Sequence, residues 1–169
     1  MLFLQEHRQS DKQLHDLNVP SHEHNATGVC GFSNDNVLAG RPYGSCAIFL
    51  RYTLSLSVRL ITTNSRRISA LLFTSNAGLK LLCMSVYMPY EHDLASFDDF
   101  QFELSVIDSL ISQYADCHVI IGGDFNVIFT GTDYILQYWI IFCVKSILFP
   151  CTVIIIVVWT IRIILICSF

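Results

Sequence analysis

Charged residues are scarce in this sequence. Asp, Glu, Lys and Arg make up 14% of its 169 residues, whereas soluble domains average about a quarter. The ten Lys and Arg residues include one adjacent pair, Arg66-Arg67, and the formal net charge is −4. Because bulk electrostatic binding to nucleic acid needs clustered cations that neutralise phosphates, the composition argues against that mode of binding. Binding through a divalent cation is not excluded, since it requires carboxylates.

The sequence also lacks any Cys-x-x-Cys pair, although it has seven cysteines. No signal peptide precedes them, so we expect a reducing compartment in which the thiols are free and buried. The length leaves room for one domain, or for a small domain with an appendage.

Charge is unevenly distributed, and this predicts two regions. Residues 1–129 have the composition of a globular domain, whereas residues 130–169 carry only three charges, Asp133, Lys145 and Arg162. Residues 147–169 form an apolar run long enough to cross a bilayer, and they predict a hydrophobic, helical tail with a membrane-spanning helix. Lys145 before this segment weakly places the globular part in the cytoplasm. A second explanation of the tail stays open. Thymine-rich codons encode the same apolar residues, so translation of noncoding DNA would produce a similar hydrophobic segment.

Short apolar segments predict most of the globular region. Met1 to Leu4 is typical of the end of a buried strand, Gln9 to Leu17 of a short helix, and Asn18 to Asn36 of a loop. Closely spaced, β-branched segments predict an antiparallel meander. These segments are Cys46 to Tyr52, Ser57 to Thr62, Ile68 to Thr74 and Lys80 to Met88.

One amphipathic helix follows the meander. Apolar residues from Phe97 to Tyr114 recur at steps of three and four, which predicts one buried stripe. Ser96 and Asp99 have the spacing of a capping box at its start. The helix is followed by a predicted strand, His118 to Ile121, which ends at a polar segment.

Three polar motifs each follow an apolar strand. They are Leu4-Gln5-Glu6-His7, Val86-Tyr87-Met88-Pro89-Tyr90 and Gly122-Gly123-Asp124-Phe125-Asn126. Taken singly, such a Glu is usually a solvated loop residue and Asp-x-Asn is usually a turn. Strand ends can converge at one edge of a sheet, so the three motifs together are candidates for one site.

In this order the motifs resemble the endonuclease/exonuclease/phosphatase family, and most closely the endonuclease domain of non-LTR retrotransposons. The family carries Gln-Glu, then Tyr-x-Pro, then Gly-Asp-x-Asn. Gly40 to Ile48 resembles the glycine-rich segment that leads into the strand after the family's Gln-Glu motif. Ser65-Arg66-Arg67-Ile68 resembles the corresponding segment of retrotransposon-encoded endonucleases. The resemblance covers Met1 to about Phe129. It implies an α/β fold that is part of a four-layer sandwich, with two β-sheets flanked by helices.

The resemblance also implies phosphodiester hydrolysis with DNA as the ancestral substrate and Mg²⁺ or Mn²⁺ as the cofactor. Glu6 matches the metal-binding glutamate, and Asp124 matches the residue that orients or deprotonates the attacking water. Asn126 matches the amide that positions phosphate and its neighbour, and Tyr87 matches the phenol that hydrogen-bonds phosphate.

This sequence departs from the family at both ends. The family begins with a strand bearing a metal-proximal Asn and ends with an Asp and then an Asp-His pair. After Asn126 the only acid is Asp133, and no His follows His118. We therefore expect a fragment truncated at both ends, with impaired or no nuclease activity. The alternative is a non-enzymatic, membrane-anchored protein with a remnant nuclease-like domain; without insertion of the tail, the expected location is cytoplasmic or nuclear.

Overall fold

The computed structural model describes residues 1–18, 23–31, 45–51, 56–90, 94–126, 153–159 and 162–167. These residues form nine strands, one short 3-10 helix and one α-helix. In chain order the elements are β1 (Leu2–Gln5), the 3-10 helix (Asp11–Asn18), β2 (His24–Val29), β3 (Cys46–Arg51), β4 (Leu56–Ile61), β5 (Ile68–Ser75), β6 (Lys80–Tyr87), α1 (Leu94–Gln113), β7 (His118–Asp124), β8 (Val153–Trp159) and β9 (Arg162–Cys167).

The strands form two sheets. The small sheet has the order β1-β3-β2 and is antiparallel. The large sheet has the order β4-β5-β6-β7-β8-β9, in which β6, β7 and β8 run parallel and the other neighbours antiparallel. Helix α1 connects the parallel strands β6 and β7, as a parallel pair requires. The mixture of helix and sheets confirms the predicted α/β class with two sheets.

Two apolar cores hold the layers together. The small sheet packs on one face of the large sheet through a cluster that includes Ile48, Leu71 and Cys83. Helix α1 covers the opposite face of the large sheet, where Phe100 and Ile107 are fully buried. Because successive side chains of a strand point to opposite faces, the apolar run of β6 serves both cores. The described residues thus form three layers: the small sheet, the large sheet and helix α1.

The predicted helix is confirmed, with one correction at its start. Its apolar stripe packs against the large sheet as the three- and four-residue spacing indicates. The helix begins at Leu94, however, so Ser96 lies inside its first turn, and no acidic residue occupies that turn. The predicted capping box of Ser96 and Asp99 is therefore wrong, because a capping residue must precede the helix.

The meander prediction holds for β4, β5 and β6 but not for β3, which pairs with β1 and β2 in the small sheet. The predicted loop from Asn18 to Asn36 contains a strand, β2, whose Asn, Thr and Gly content hides it. Strand β1 packs on one face only: Phe3 and Gln5 are partly buried, whereas Leu2 on the other face is 61% exposed.

The tail differs from its prediction. In residues 153–159 and 162–167 the structure has strands β8 and β9, with Ile155 of β8 opposite Ile121 of β7. A strand that is buried on both faces of a parallel sheet has a continuous run of Val and Ile. Its hydropathy is therefore as high as that of a membrane-spanning helix, and the two cannot be told apart by hydropathy. Among the described residues no helix is long and apolar enough to cross a membrane. The predicted boundary at 129–130 lies outside the described residues, as do residues 40–44 of the glycine-rich segment.

Candidate functional site

All four predicted site residues lie at one end of the facing sheets. Glu6 directly follows β1, Tyr87 ends β6 and Asp124 ends β7. Tyr87 and Asp124 are paired across the parallel strands β6 and β7, and Asn126 follows two residues later. The structure therefore brings together side chains that are up to 120 positions apart in the sequence.

A hydrogen bond joins the two sheets at this site. The Tyr87 hydroxyl donates to Oε1 of Glu6 at 2.5 Å. Burial raises the pKa of Tyr87 to about 12, and the bond to the Glu6 carboxylate and its negative charge act in the same direction. The phenol is therefore protonated at neutral pH and donates its one proton to Glu6.

Asp124 and Asn126 form a local turn that fixes both side chains. Oδ1 of Asp124 accepts from the Asn126 backbone N–H at 3.0 Å, and the Asn126 amide donates to the Met88 carbonyl at 2.7 Å. The Met88 N–H in turn donates to the Asp124 carbonyl at 2.8 Å. Burial raises the pKa of Asp124, the Asn126 N–H opposes this, and the negative charge of Glu6 adds to the rise. Asp124 and Glu6 are thus near enough to repel each other electrostatically.

Backbone strain is concentrated here. Three non-glycine residues have positive φ among those described, and two of them are Glu6 at 51° and Asn126 at 49°. The third is Arg8 at 56°. A left-handed conformation is common for Asn but costs about 1 to 2 kcal/mol for residues such as Glu. Strained residues of this kind often occur at functional sites, where surrounding contacts hold them in place.

Gly122 and Gly123 allow the close approach that builds the site. A Cβ at Gly122 would lie 2.5 Å from the Phe3 ring of β1, and a Cβ at Gly123 would overlap the Val86 carbonyl oxygen of β6. The bare backbone of β7 therefore lets β1 pack close against the large sheet, so that Glu6 reaches Tyr87. The two glycines therefore have a packing role at this site.

Polar contacts set the position of β1 over β6. Gln5 donates through its amide to the Ser85 hydroxyl at 3.2 Å, and the Glu6 N–H donates to the Ser45 carbonyl at 2.8 Å. The Cys46 thiol donates to the Ser85 carbonyl at 3.0 Å. These bonds place Gln5 of the Gln-Glu motif in a structural role beside the predicted metal ligand.

Sequence reasoning missed Arg67 as a member of this site. Its carbonyl accepts from the Tyr87 N–H at 2.9 Å, and its guanidinium carbon lies 5.8 Å from the centre of the Tyr87 ring. The signal was present in the turn residues Asn76-Ala77-Gly78, which separate β5 from β6. Counting outward from that turn along two antiparallel strands places Arg67 opposite Tyr87, and β5 and β6 pair in this register.

The donors at this site fit a hard divalent cation. Glu6 and Asp124 supply carboxylate oxygens whose mutual repulsion a cation would relieve, and Mg²⁺ keeps several waters, so one or two protein ligands suffice. Within the described ranges no group of three or more His, Cys, Asp or Glu side chains is arranged to hold a metal ion. The four site residues thus offer two carboxylates, a phenol donor and an amide.

Comparisons with known proteins add little. No protein-family model and no curated protein matches the sequence. Among solved structures, the central domain of yeast acetyl-CoA carboxylase is similar over 61% of this chain and 18% of that chain, with 12% identity and a TM-score of 0.27. The chain spans less than a fifth of that structure, and at this TM-score the likeness carries no argument about function.

The bond between Tyr87 and Glu6 predicts how the phenol titrates. Difference absorbance between the wild-type chain and Tyr87→Phe should show one phenol titrating near pH 12, compared with about 10 for an unperturbed tyrosine. Glu6→Gln should lower that midpoint, but burial should keep it above about 10. The raised pKa contributes stability below about pH 10 that is lost as pH rises towards 12.

Glu23→Gln is the matched control for this titration, because Glu23 makes an exposed ion pair with Arg51 far along the small sheet. It should leave the midpoint unchanged. An equal midpoint in wild type and Glu6→Gln would show that the two side chains are not bonded in solution.

Proposed function

We propose that this chain is a divalent-cation-dependent phosphodiester-binding domain of the endonuclease/exonuclease/phosphatase type, derived from a retrotransposon DNA endonuclease, and that residues 1–169 on their own are strongly impaired in hydrolysis. The observation that carries the proposal is the convergence of Glu6, Tyr87, Asp124 and Asn126 from three separate strand ends. Sequence motifs alone single out these four residues, independently of how the strands pair. An accidental match of three motifs has no reason to place all four side chains together.

Each residue has a chemistry that suits phosphodiester hydrolysis. A bound Mg²⁺ or Mn²⁺ would neutralise charge on the phosphate and leaving oxygens. Tyr87 keeps its proton. Its one O–H donates to Glu6, and a cation that takes the Glu6 carboxylate would release this O–H to donate to a phosphate oxygen. Asp124 would take the proton of the attacking water, and its raised pKa brings it nearer the value of an effective general base. The Asn126 amide, anchored on Met88, would orient phosphate and Asp124.

Impairment of residues 1–169 taken alone follows from the family's catalytic groups that these residues do not carry. Residues 127–169 contain one acid, Asp133, and no His. Catalytic groups that act as a unit lose most of their effect when one member is missing. We therefore expect the chain to bind a divalent cation and phosphodiester while cutting DNA at close to the background rate.

The full four-layer sandwich belongs to the same proposal. The outer face of the small sheet carries the exposed side chains of Leu2 and Leu4, which are 61% and 36% accessible. A second layer of helices, as in the family, would cover this apolar face. The described residues supply three of the four layers.

Metal binding and cleavage by the full-length chain test the proposal together. Electron paramagnetic resonance should detect Mn²⁺ bound at one site, displaced by Mg²⁺ and lost in Glu6→Gln. Glu23→Gln removes an exposed carboxylate and should bind Mn²⁺ as the wild type does. Supercoiled plasmid incubated with Mg²⁺ should be nicked no faster than in buffer.

The two readouts fail in different ways. Absence of Mn²⁺ binding, or binding unaffected by Glu6→Gln, would overturn the proposed site. Mg²⁺-dependent nicking that disappears in Glu6→Gln would instead overturn the impairment and leave the site intact.

The alternative of a membrane-anchored, non-enzymatic protein rests on a helix at 147–169. The described part of that segment lies in β8 and β9, so nothing in the described residues favours this alternative. Carbonate extraction of membranes from cells expressing the chain tests it directly. Retention of the chain in the extracted membranes would support an anchor.

A further inference from the structure

A row of three residues crosses the end of the large sheet at the candidate site. Arg67 directly precedes β5, and its carbonyl accepts from the N–H of Tyr87 at the end of β6. Tyr87 is in turn paired with Asp124 at the end of β7. The preceding row on the same face, Ser69, Ser85 and Gly122, contacts the small sheet. Because strand side chains alternate with a period of two, Arg67 belongs to the face that carries Glu6, Tyr87 and Asp124.

The carboxylates at the candidate site disfavour an anionic ligand. Glu6 and Asp124 would both repel a phosphodiester, whereas the guanidinium of Arg67 lies against the ring of Tyr87. Tyr87 directs its hydroxyl to Glu6. A phosphate beside this hydroxyl needs a positive charge to offset the two carboxylates, and the guanidinium of Arg67 supplies one in contact with the same tyrosine. Arginine suits such a position because its planar fork can give two parallel hydrogen bonds to phosphate oxygens.

The backbone that carries Arg67 is anchored to helix α1. The Arg67 N–H donates to the Ser65 hydroxyl at 2.8 Å, and that hydroxyl donates to Oε2 of Glu103 at 2.5 Å. Glu103 is only 6% exposed, and burial raises its pKa while Ser65 and the charge of Arg67 lower it. This anchor holds the turn before β5 in place without a ligand, which reduces the ordering cost of binding.

We propose that Arg67 is a substrate-binding residue of this site, contacting the phosphate backbone of a nucleic acid beside the Tyr87 hydroxyl. The inference rests on the proposed function, because it assumes a phosphodiester at Glu6, Tyr87 and Asp124. It adds a cation to a site whose motif-derived residues are otherwise acidic or neutral. The competing role for Arg67 is structural, as the partner that lowers the cost of burying Glu103.

Fluorescence anisotropy of a labelled DNA duplex with the full-length chain in Mg²⁺ tests this role. Arg67→Ala should weaken binding roughly tenfold and reduce the slope of log affinity against log salt by about one, as expected for the loss of one phosphate contact. Arg67→Lys keeps the charge but not the planar fork, so it should restore the salt slope and only part of the affinity.

Arg66 provides the matched control, since it is the adjacent cation of the same pair and its side chain is exposed. Arg66→Ala removes the same charge and should change affinity less than about twofold, because an exposed charge away from the site contributes little. Equal losses in Arg66→Ala and Arg67→Ala would reduce the effect to bulk charge and overturn the inference. Thermal unfolding of each variant separates loss of binding from loss of the fold, since a purely structural role would lower the melting temperature of Arg67→Ala without changing the salt slope.

Failure of this inference is distinguishable from failure of the proposed function. If Mn²⁺ binds in a Glu6-dependent manner and Arg67→Ala binds DNA as the wild type does, the site stands and the role of Arg67 falls. If the wild-type chain binds neither Mn²⁺ nor the duplex, both proposals fall.

Discussion

Gly123→Ala is expected to lower the free energy of unfolding by about 3 kcal/mol or more. The added Cβ would overlap the Val86 carbonyl oxygen, an atom of the backbone ladder between β6 and β7 that has no rotamer by which to move away. Relief requires separation of two central strands of the large sheet. Urea unfolding followed by circular dichroism measures the loss.

Two other glycines serve as controls for this result. Gly78 has a φ of 83°, and a methyl group added there would meet no atom within 4 Å. Gly78→Ala should therefore cost only the backbone strain of about 1 to 2 kcal/mol. Gly122→Ala meets the ring of Phe3, which can shift, and should fall between the two. If Gly123→Ala proved as stable as Gly78→Ala, the close pairing of β6 and β7 at the site would be wrong.

Phe100→Ala is expected to cost about 3 to 5 kcal/mol, the usual range for deleting a buried aromatic ring. Phe100 is fully buried between helix α1 and the large sheet. The cavity left by its ring would be lined by apolar side chains of both layers, which can relax only in part. The same urea experiment measures this loss.

Phe102→Ala is the matched control, because it makes the same substitution on the same helix where the side chain is 49% exposed. Its effect should lie within about 0.5 kcal/mol of the wild type, and the higher helix propensity of Ala favours a small gain. Equal costs at the two positions would mean that the helix packs with a different face than the structure has.

The proximity of the four candidate residues was largely predictable, because each of their motifs follows a strand. Glu6, Tyr87, Asp124 and Asn126 each follow an apolar strand, and polar groups at strand ends are candidates for a common site. Arg67 was not singled out as a site residue, because the segment that contains it, Ser65-Arg66-Arg67-Ile68, indicates ancestry but assigns no chemical role to either arginine. The turn at residues 76–78 sets the register that places Arg67 opposite Tyr87, but the contact of its guanidinium with the Tyr87 ring is a feature of the tertiary structure.

The secondary-structure elements also differ in how far the sequence alone predicted them. Helix α1 could be predicted because its apolar spacing is a local property of contiguous residues. Strand β2 could not, because an edge strand with Asn, Thr and Gly is stabilised by its pairing with β3 rather than by its own propensity. The tail was predicted as a helix because continuous apolar runs occur both in membrane helices and in the strands of parallel sheets.

The sequence by itself determined the α/β class, the stripe of helix α1 and the four residues proposed to bind metal and phosphodiester. Local spacing and short motifs carry that information. Only the tertiary structure decided that β3 joins β1 and β2, that β8 and β9 extend the large sheet, and that Arg67 lies against Tyr87. These features depend on contacts between residues far apart in the chain. The energies of such contacts cannot be inferred from the sequence of one segment.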